Sequence, residues 1–312
     1  MPLIAPTLIV GLLLDALLGE PRRWHPLVGF GGLVQAVEGR MNRPTSRAFV
    51  LRLRGALAWS LLVLPLPLAL WCLLAALPAA VSLAISIAML YLCLGGCSLA
   101  RHARAVAAPL DAGDVPGARQ AVARIVSRDT REMDAPAVTR AVLESVLENG
   151  SDAVVASLFW FALAGAPGVV LHRLANTLDA CWGYRSARFR HFGCWAARAD
   201  DVLNYIPARC CALAYALAGS TRPALRCWRR QARRLSSPNG GPVMAAGAGA
   251  LQVWLGGPAR YGGEWQQRPV FGCAREARPA DIERGLALLW RAVAILLAFA
   301  LALELLCRGP SL

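Results

Sequence analysis

Long apolar runs separated by arginine-rich loops constrain this chain more than any other feature. Stretches 3–18, 56–77, 79–99 and 286–306 are predominantly apolar, and the last three reach the roughly 20 residues a helix needs to cross a hydrocarbon core. Pro65, Pro67 and Pro78 predict a kink and a turn, so the middle pair reads as a helical hairpin. Run 3–18 has no basic flank ahead of it and no small-residue cleavage pattern behind it, and is expected to stay as a helix. Arg291 sits near one end of the last run, where it can snorkel. With 57% hydrophobic residues, the chain carries more apolar surface than a soluble core of this size absorbs, and the excess is expected to face lipid.

Three further stretches are weaker: 154–174, broken by Gly165, Pro167 and Gly168; 202–219, which holds Asn204, Pro207 and Arg209; and the Gly/Ala-rich 243–256. Arginines crowd 19–55, 100–153, 221–242 and 257–285, which the positive-inside rule assigns to the cytoplasm. Segment 175–201 is also basic, so a full crossing by 154–174 would put it on the wrong side. The weaker stretches are therefore expected to be re-entrant or half-buried helices. The predicted architecture is an all-α polytopic membrane protein with about four full spans, cytoplasmic helical segments and both termini outside. No repeat or long linker divides it, and 1–312 reads as one membrane-embedded domain.

The net charge of +14 comes from 33 basic residues, every one an arginine. Without lysine there is no Schiff-base or pyridoxal chemistry and no P-loop of the Gly-Lys-Ser/Thr type. The arginines sit between apolar runs without interleaved aromatics, which argues against nucleic acid. Ten cysteines form no Cys-x-x-Cys pair and four histidines share no ligand spacing, so no dedicated metal site is expected from them.

Chemistry is suggested elsewhere. Arg140, Glu144, Glu148 and Asp152 recur every four residues and fall on one helical face. Neighbouring like charges there cost about 0.2 to 0.5 kcal/mol each, so a divalent cation or a cluster of arginines is needed to offset them. Three carboxylates on one face suit Mg²⁺, and a solvated face capped by Arg140 fits equally well. Asn176-Thr177-Leu178-Asp179 and Asp200-Asp201 with Asn204 and Arg209 place acids and amides at the edges of apolar stretches, where ionisable groups are costly and usually functional. Caps and ion pairs are the plain alternative. Ser236-Ser237-Pro238-Asn239-Gly240-Gly241 is a turn feeding a helix, with arginines close before it, and suits a phosphate unless those arginines serve only topology. His25, in His25-Pro26 after Gly19-Glu20-Pro21, is a base, a binding group or simply structural.

In this order the motifs resemble those of the adenosylcobinamide-phosphate synthases, the CobD/CbiB family of cobalamin biosynthesis. The resemblance runs from Leu14-Asp15 to Gly263 and adds Arg128-Asp129-Thr130, Glu148-Asn149, Gly183-Tyr184 and Phe192-Gly193 to the pieces above. Glu20, Ala153, Ser157 and Ala180-Cys181 depart mildly from the family pattern. The resemblance implies an amide-forming ligase. It would join the free propionate of adenosylcobyric acid to (R)-1-amino-2-propanol or its O-phosphate, with ATP as co-substrate and Mg²⁺. It further implies Glu144, Glu148, Asp179 and Asp201 as catalytic candidates and Glu144, Glu148 and Asp152 as Mg²⁺ ligands. His25, Arg128, Asn149, Asn176, Thr177, Asn204, Arg209, Ser237 and Asn239 would bind substrate or phosphate. Trp160, Trp182, Tyr184, Phe189 and Trp195 would offer a shelf for the corrinoid. The expected setting is the cytoplasmic membrane with the site facing the cytoplasm, and the expected partners are the bilayer, another copy of the chain or other cobalamin-assembly enzymes. A transporter and a non-catalytic sensory relative are the rival readings.

Overall fold

The computed structural model describes residues 4–21, 26–43, 47–184 and 186–308. Two compact units are built from interleaved parts of the chain: one holds the chain up to Gly95, Ala156–Asn204 and the end from Glu304, the other Gly96–Val155 and Tyr205–Leu303.

The first unit contains α1 (Ile4–Leu18), α2 (Pro26–Met41), α3 (Ala48–Val63), α4 (Pro65–Ala76) and α5 (Ala79–Cys93). Pro65 opens α4 directly after Leu64, which keeps helical dihedrals, so α3 and α4 form one apolar rod with a proline kink. α1 packs on α5, where a side chain at Gly11 would strike Leu90 at 2.5 Å, and Tyr91 donates to the carbonyl of Gly19 at 2.7 Å. Glu304 accepts from the N–H groups of Ile4 and Ala5, both at 3.1 Å, and so satisfies the open end of α1.

The second unit begins with α6 (Gly96–Asp111), α7 (Val115–Val122) and α8 (Ala135–Gly150). Asp134 starts α8 by accepting from the N–H of Ala137 at 2.8 Å, with Pro136 in the first turn. A turn of wider π-type helix, Ser151–Val155, leads into α9 (Ala156–Trp182) of the first unit. α10 (Cys194–Leu203) completes that unit's helices; α11 (Tyr205–Ala218), α12 (Thr221–Gln231) and α13 (Gly240–Leu251) belong to the second. All twelve residues of α13 are buried, because its glycines and alanines let α11, α12 and α8 approach closely. A methyl on Gly249 would lie 2.7 Å from the Cα of Ala224, and one on Gly247 would lie 2.6 Å from Leu147.

Five short strands follow: β1 (Val253–Gly256), β2 (Ala259–Tyr261), β3 (Glu264–Gln266), β4 (Val270–Gly272) and β5 (Arg275–Glu276). β4 and β5 flank β1, antiparallel and parallel respectively, while β2 and β3 form a hairpin. α14 (Asp281–Arg308) closes the chain.

The architecture is the expected all-α polytopic membrane protein; the strands are an addition. Among the described residues, four helical stretches are long and apolar enough to cross a membrane: Ala48–Ala76, Ala79–Asp111, Ala135–Trp182 and Asp281–Cys307. The number agrees with the sequence reading and the membership does not. α1 has only 15 residues, whereas the run through 154–174, expected to be broken, is one of the four. The break exists but is local. Only Ala164 and Gly165 leave helical dihedrals, and Pro167 falls in the first turn beyond them, where its missing N–H costs nothing.

Candidate functional site

The stripe on α8 is resolved by arginines. Glu144 is 2% exposed; its Oε2 accepts from Arg128 at 2.6 Å and from Arg268 at 2.8 Å, and its Oε1 accepts from the backbone N–H of Gly256 at 2.8 Å. β1 makes the last bond possible. Gly256 has φ +79°, and a side chain there would meet the carbonyl of Pro269 at 2.2 Å, so glycine alone lets the strand end turn its N–H onto α8. Arg128 also borders a cavity of about 240 Å³ between the start of α8 and the β2–β3 hairpin. Arg140, read from sequence as a cap on the stripe, pairs instead with Glu276 at 2.9 Å.

Among the described residues, no group of three or more His, Cys, Asp or Glu is placed to hold a metal ion. The acceptor oxygens of Glu144 are already taken by two guanidinium groups and an amide. Of the two offsets the sequence allowed, arginines are the one seen at Glu144. Asp152 lies in the π-type turn beyond α8, and Asn149 spends its amide on the hydroxyl of Ser145 at 2.8 Å.

Glu148 differs from Glu144. It is half-buried, accepts no hydrogen bond from a described residue, and reaches the turn that opens α13. A methyl group on Gly240 would lie 2.5 Å from Glu148 Oε1 and 3.3 Å from Ser237 Oγ, so carboxylate and hydroxyl flank one point that only a glycine leaves open. Ser237 Oγ accepts from the N–H of Gly240 at 2.9 Å and of Asn239 at 3.3 Å, which fixes the turn. Arg209 braces it: its guanidinium donates to Asn239 Oδ1 at 2.7 Å and to the carbonyl of Pro238 at 2.9 Å, and stacks 3.6 Å from the ring centroid of Tyr205. Arg209, Ser237 and Asn239 are therefore brought together as the sequence suggested.

A second polar cluster lies in the other unit. Asp200 is buried in α10, and its Oδ1 accepts from Asn204 at 3.0 Å and Asn176 at 3.2 Å. His172 Nε2 lies 2.9 Å from Asn204 Oδ1, and Arg173 donates to Asn176 Oδ1 at 3.4 Å, extending the polar chain along α9. Asn176 and Asn204 thus meet over Asp200, which was outside the catalytic set inferred from sequence, while Asp201 follows it and is less buried. Thr177 turns its hydroxyl back to the carbonyl of Arg173 at 2.8 Å, and Asp179 lies one turn before Gly183, whose N–H bonds back to its carbonyl at 2.7 Å. His25 falls outside the described residues. The aromatic shelf loses a member, since Trp182 is 2% exposed and packs edge-on against Phe192, 4.9 Å between centroids.

Sequence reading missed Arg268 and His172. Nothing in Gln266-Gln267-Arg268-Pro269 marks its arginine, whereas His172 could have been found from its place one helical turn before Asn176.

Burial pushes the Asp200 carboxyl up to about 6, with the amides of Asn176 and Asn204 pulling the other way and neighbouring Asp201 adding to the rise. The folded state therefore holds this proton more tightly than the unfolded chain does, and stability is lost as pH rises from about 4 to about 6. Asp200→Asn keeps an acceptor for both amides and removes the titration. It should stabilise the protein by on the order of 2 to 3 kcal/mol above pH 7 and by nothing near pH 4. Melting curves of both proteins at the two pH values check this, and an equal difference at both would refute it.

The family model described as CobD/Cbib protein matches residues 8–289, a stretch that takes in both polar clusters and the turn before α13. The chain belongs to the CobD/Cbib family. It is 55% identical to the cobalamin biosynthesis protein CobD of Chromobacterium violaceum, covering 95% of this chain and 96% of that one. Identity to the protein of the same name from Stutzerimonas stutzeri is 57%, over 93% and 94% of the two chains. For Mycobacterium tuberculosis CobD it is 42%, over 90% and 89%. No solved structure matches significantly.

Proposed function

We propose that this CobD/Cbib protein is the amide-forming ligase of cobalamin biosynthesis that joins the free propionate of adenosylcobyric acid to aminopropanol or its phosphate. Membership of the family supplies the pathway. The observation that supports chemistry of this kind is Glu148: a carboxylate that accepts no hydrogen bond from a described residue, held against a hydroxyl-bearing turn that Arg209 braces.

The reaction has two demands. A carboxylate is a poor acyl donor, so its oxygen attacks the γ-phosphorus of ATP, ADP departs, and an acyl phosphate results. The amine nitrogen then attacks the carbonyl carbon, the C–O bond to phosphate breaks, and the ammonium proton needs an acceptor. We assign this to Glu148, since a carboxylate beside the turn that accepts no hydrogen bond from a described residue is available as a base. Arg209 and the Ser237 hydroxyl serve the phosphate oxygens, on which charge spreads during phosphoryl transfer. Mg²⁺ would enter this scheme as a companion of the nucleotide, neutralising charge on the phosphate oxygens. The site faces the cytoplasm of the cell membrane in this reading, where ATP is found and where the arginine-rich segments belong.

Purified protein supplied with adenosylcobyric acid, ATP and aminopropanol phosphate should yield a corrinoid heavier by the mass of the amine less one water, with ADP and phosphate released in equal amount. An unchanged corrinoid mass with intact folded protein would sink the reading. A transporter would instead move corrinoid across a sealed vesicle without changing its mass.

A further inference from the structure

A cavity of about 630 Å³ lies between α11, α12 and the turn before α13, bordered by Arg209, Arg229, Arg233, Trp228, Ser236 and Ser237. Its charge is one-sided. From Val202 to Gly263 the sequence contains no Asp or Glu, so α11, α12 and the turn carry no acid of their own; Glu148 of α8 reaches the turn at Gly240 but is not among the residues that border the cavity. Arg229 and Arg233 are exposed and make no hydrogen bond or ion pair with any described residue, whereas Arg209 is fixed by three acceptors, Tyr205 O, Pro238 O and Asn239 Oδ1. α12 turns its small residues Ala224 and Cys227 inward, which leaves Arg229 at the rim, and the tight turn after it presents Arg233 from the adjoining side.

We infer that Arg229 and Arg233 form, with Arg209 and Ser237, a polyphosphate-binding site that takes the triphosphate of a nucleoside triphosphate with its base beside Trp228. Three guanidinium groups converging on one cavity match several phosphate oxygens, and guanidinium pairs them bidentately. The volume decides between phosphate esters. It suits a drug-sized ligand, and a three-carbon amino alcohol phosphate would leave most of it empty. Trp228 is half-buried at the border, so one ring face can meet a planar base. The assignment rests on the proposed ligase reading for the identity of the co-substrate. The binding itself requires only the charge and the space.

The test uses the full chain in phosphatidylcholine nanodiscs, with inorganic pyrophosphate and ATP as probes and no corrinoid present. Both should bind, ATP the more tightly. Arg229→Gln with Arg233→Gln should weaken each by about a hundredfold, roughly tenfold for each charge-assisted hydrogen bond removed. Arg222→Gln with Arg230→Gln, on the same helix but away from the cavity, should bind as the unaltered protein does. Equal weakening by the two pairs would show a diffuse basic surface and overturn the assignment. So would an anionic-lipid result, in which pyrophosphate fails to bind while phosphatidylglycerol nanodiscs raise the melting temperature through Arg229 and Arg233. Because no turnover is measured, failure of the ligase reading leaves the pyrophosphate result standing. Loss of pyrophosphate binding with normal ligation would remove this cavity alone.

Discussion

Glu144→Ala should lower the stability of the protein by about 3 to 5 kcal/mol, the cost of leaving buried charge uncompensated. The loss follows from the partners and not from the carboxylate alone. Arg128 and Arg268 are 12% and 19% exposed, both donate to Glu144 Oε2, and the N–H of Gly256 donates to Oε1. Removal of the acceptor strands two guanidinium charges and one amide in the interior of the unit. One nitrogen of Arg268 is already buried without a partner, so no spare acceptor stands by. A drop in melting temperature on the order of 10 °C is expected. Changing Glu144, Arg128 and Arg268 together to apolar residues of similar size should cost less than changing Glu144 alone. A Glu144→Ala protein that melts with the unaltered one would show that the cluster holds nothing together.

Glu148→Gln should do the reverse, sparing the fold and removing the activity. The side chain accepts no hydrogen bond from a described residue, so an amide of the same shape loses little, and the melting temperature should stay within about a degree or two. Amide formation should fall by about a hundredfold to ten-thousandfold, the range for a lost general base. Gly240→Ala probes the same carboxylate from the other side. Its new methyl would press on Glu148 Oε1 at 2.5 Å, while the next two nearest atoms, Met244 Cε and Ser237 Oγ, lie at 3.3 Å, so the close contact is with the movable end of a side chain. The carboxylate must swing away, and turnover should drop while the fold persists. Normal turnover in both variants would take Glu148 out of the mechanism.

Much of this architecture was legible because hydropathy and arginine placement report directly on the bilayer. The hairpin over 56–99 and the final span appear where the apolar runs do. At 154–174 the break announced by Gly165 and Pro167 is present, but it is confined to Ala164 and Gly165 and the helix resumes beyond it. Pro167 stands in the first turn after the kink, the one place in a helix that tolerates it. Stretch 243–256 was ambiguous for another reason: α13 is apolar to meet other helices, and composition does not distinguish a lipid neighbour from a protein one. The strands after it are two to four residues long and carry no sustained alternation.

At the site, the charged stripe announced that something must offset it, without saying what. Arg268 lies 124 residues from Glu144, on a loop set in place by β4, and such a pairing leaves no local trace. Arg209, Ser237 and Asn239 were readable because a Gly-rich turn beside arginines has a recognisable chemistry. Asp200 was passed over in favour of Asp201, since two adjacent acids look alike until helix α10 turns one inward and leaves the other nearer the surface.

Every cation that touches Glu144 or borders the 630 Å³ cavity is a guanidinium. Such a group stays protonated at any physiological pH and offers no lone pair to an electrophile. A protein that generates a mixed anhydride beside ammonium-bearing side chains would run the risk of acylating itself whenever one lost its proton. If this chain forms such an anhydride, as proposed above, the guanidinium groups around it would present no side-chain amine to intercept the acyl group.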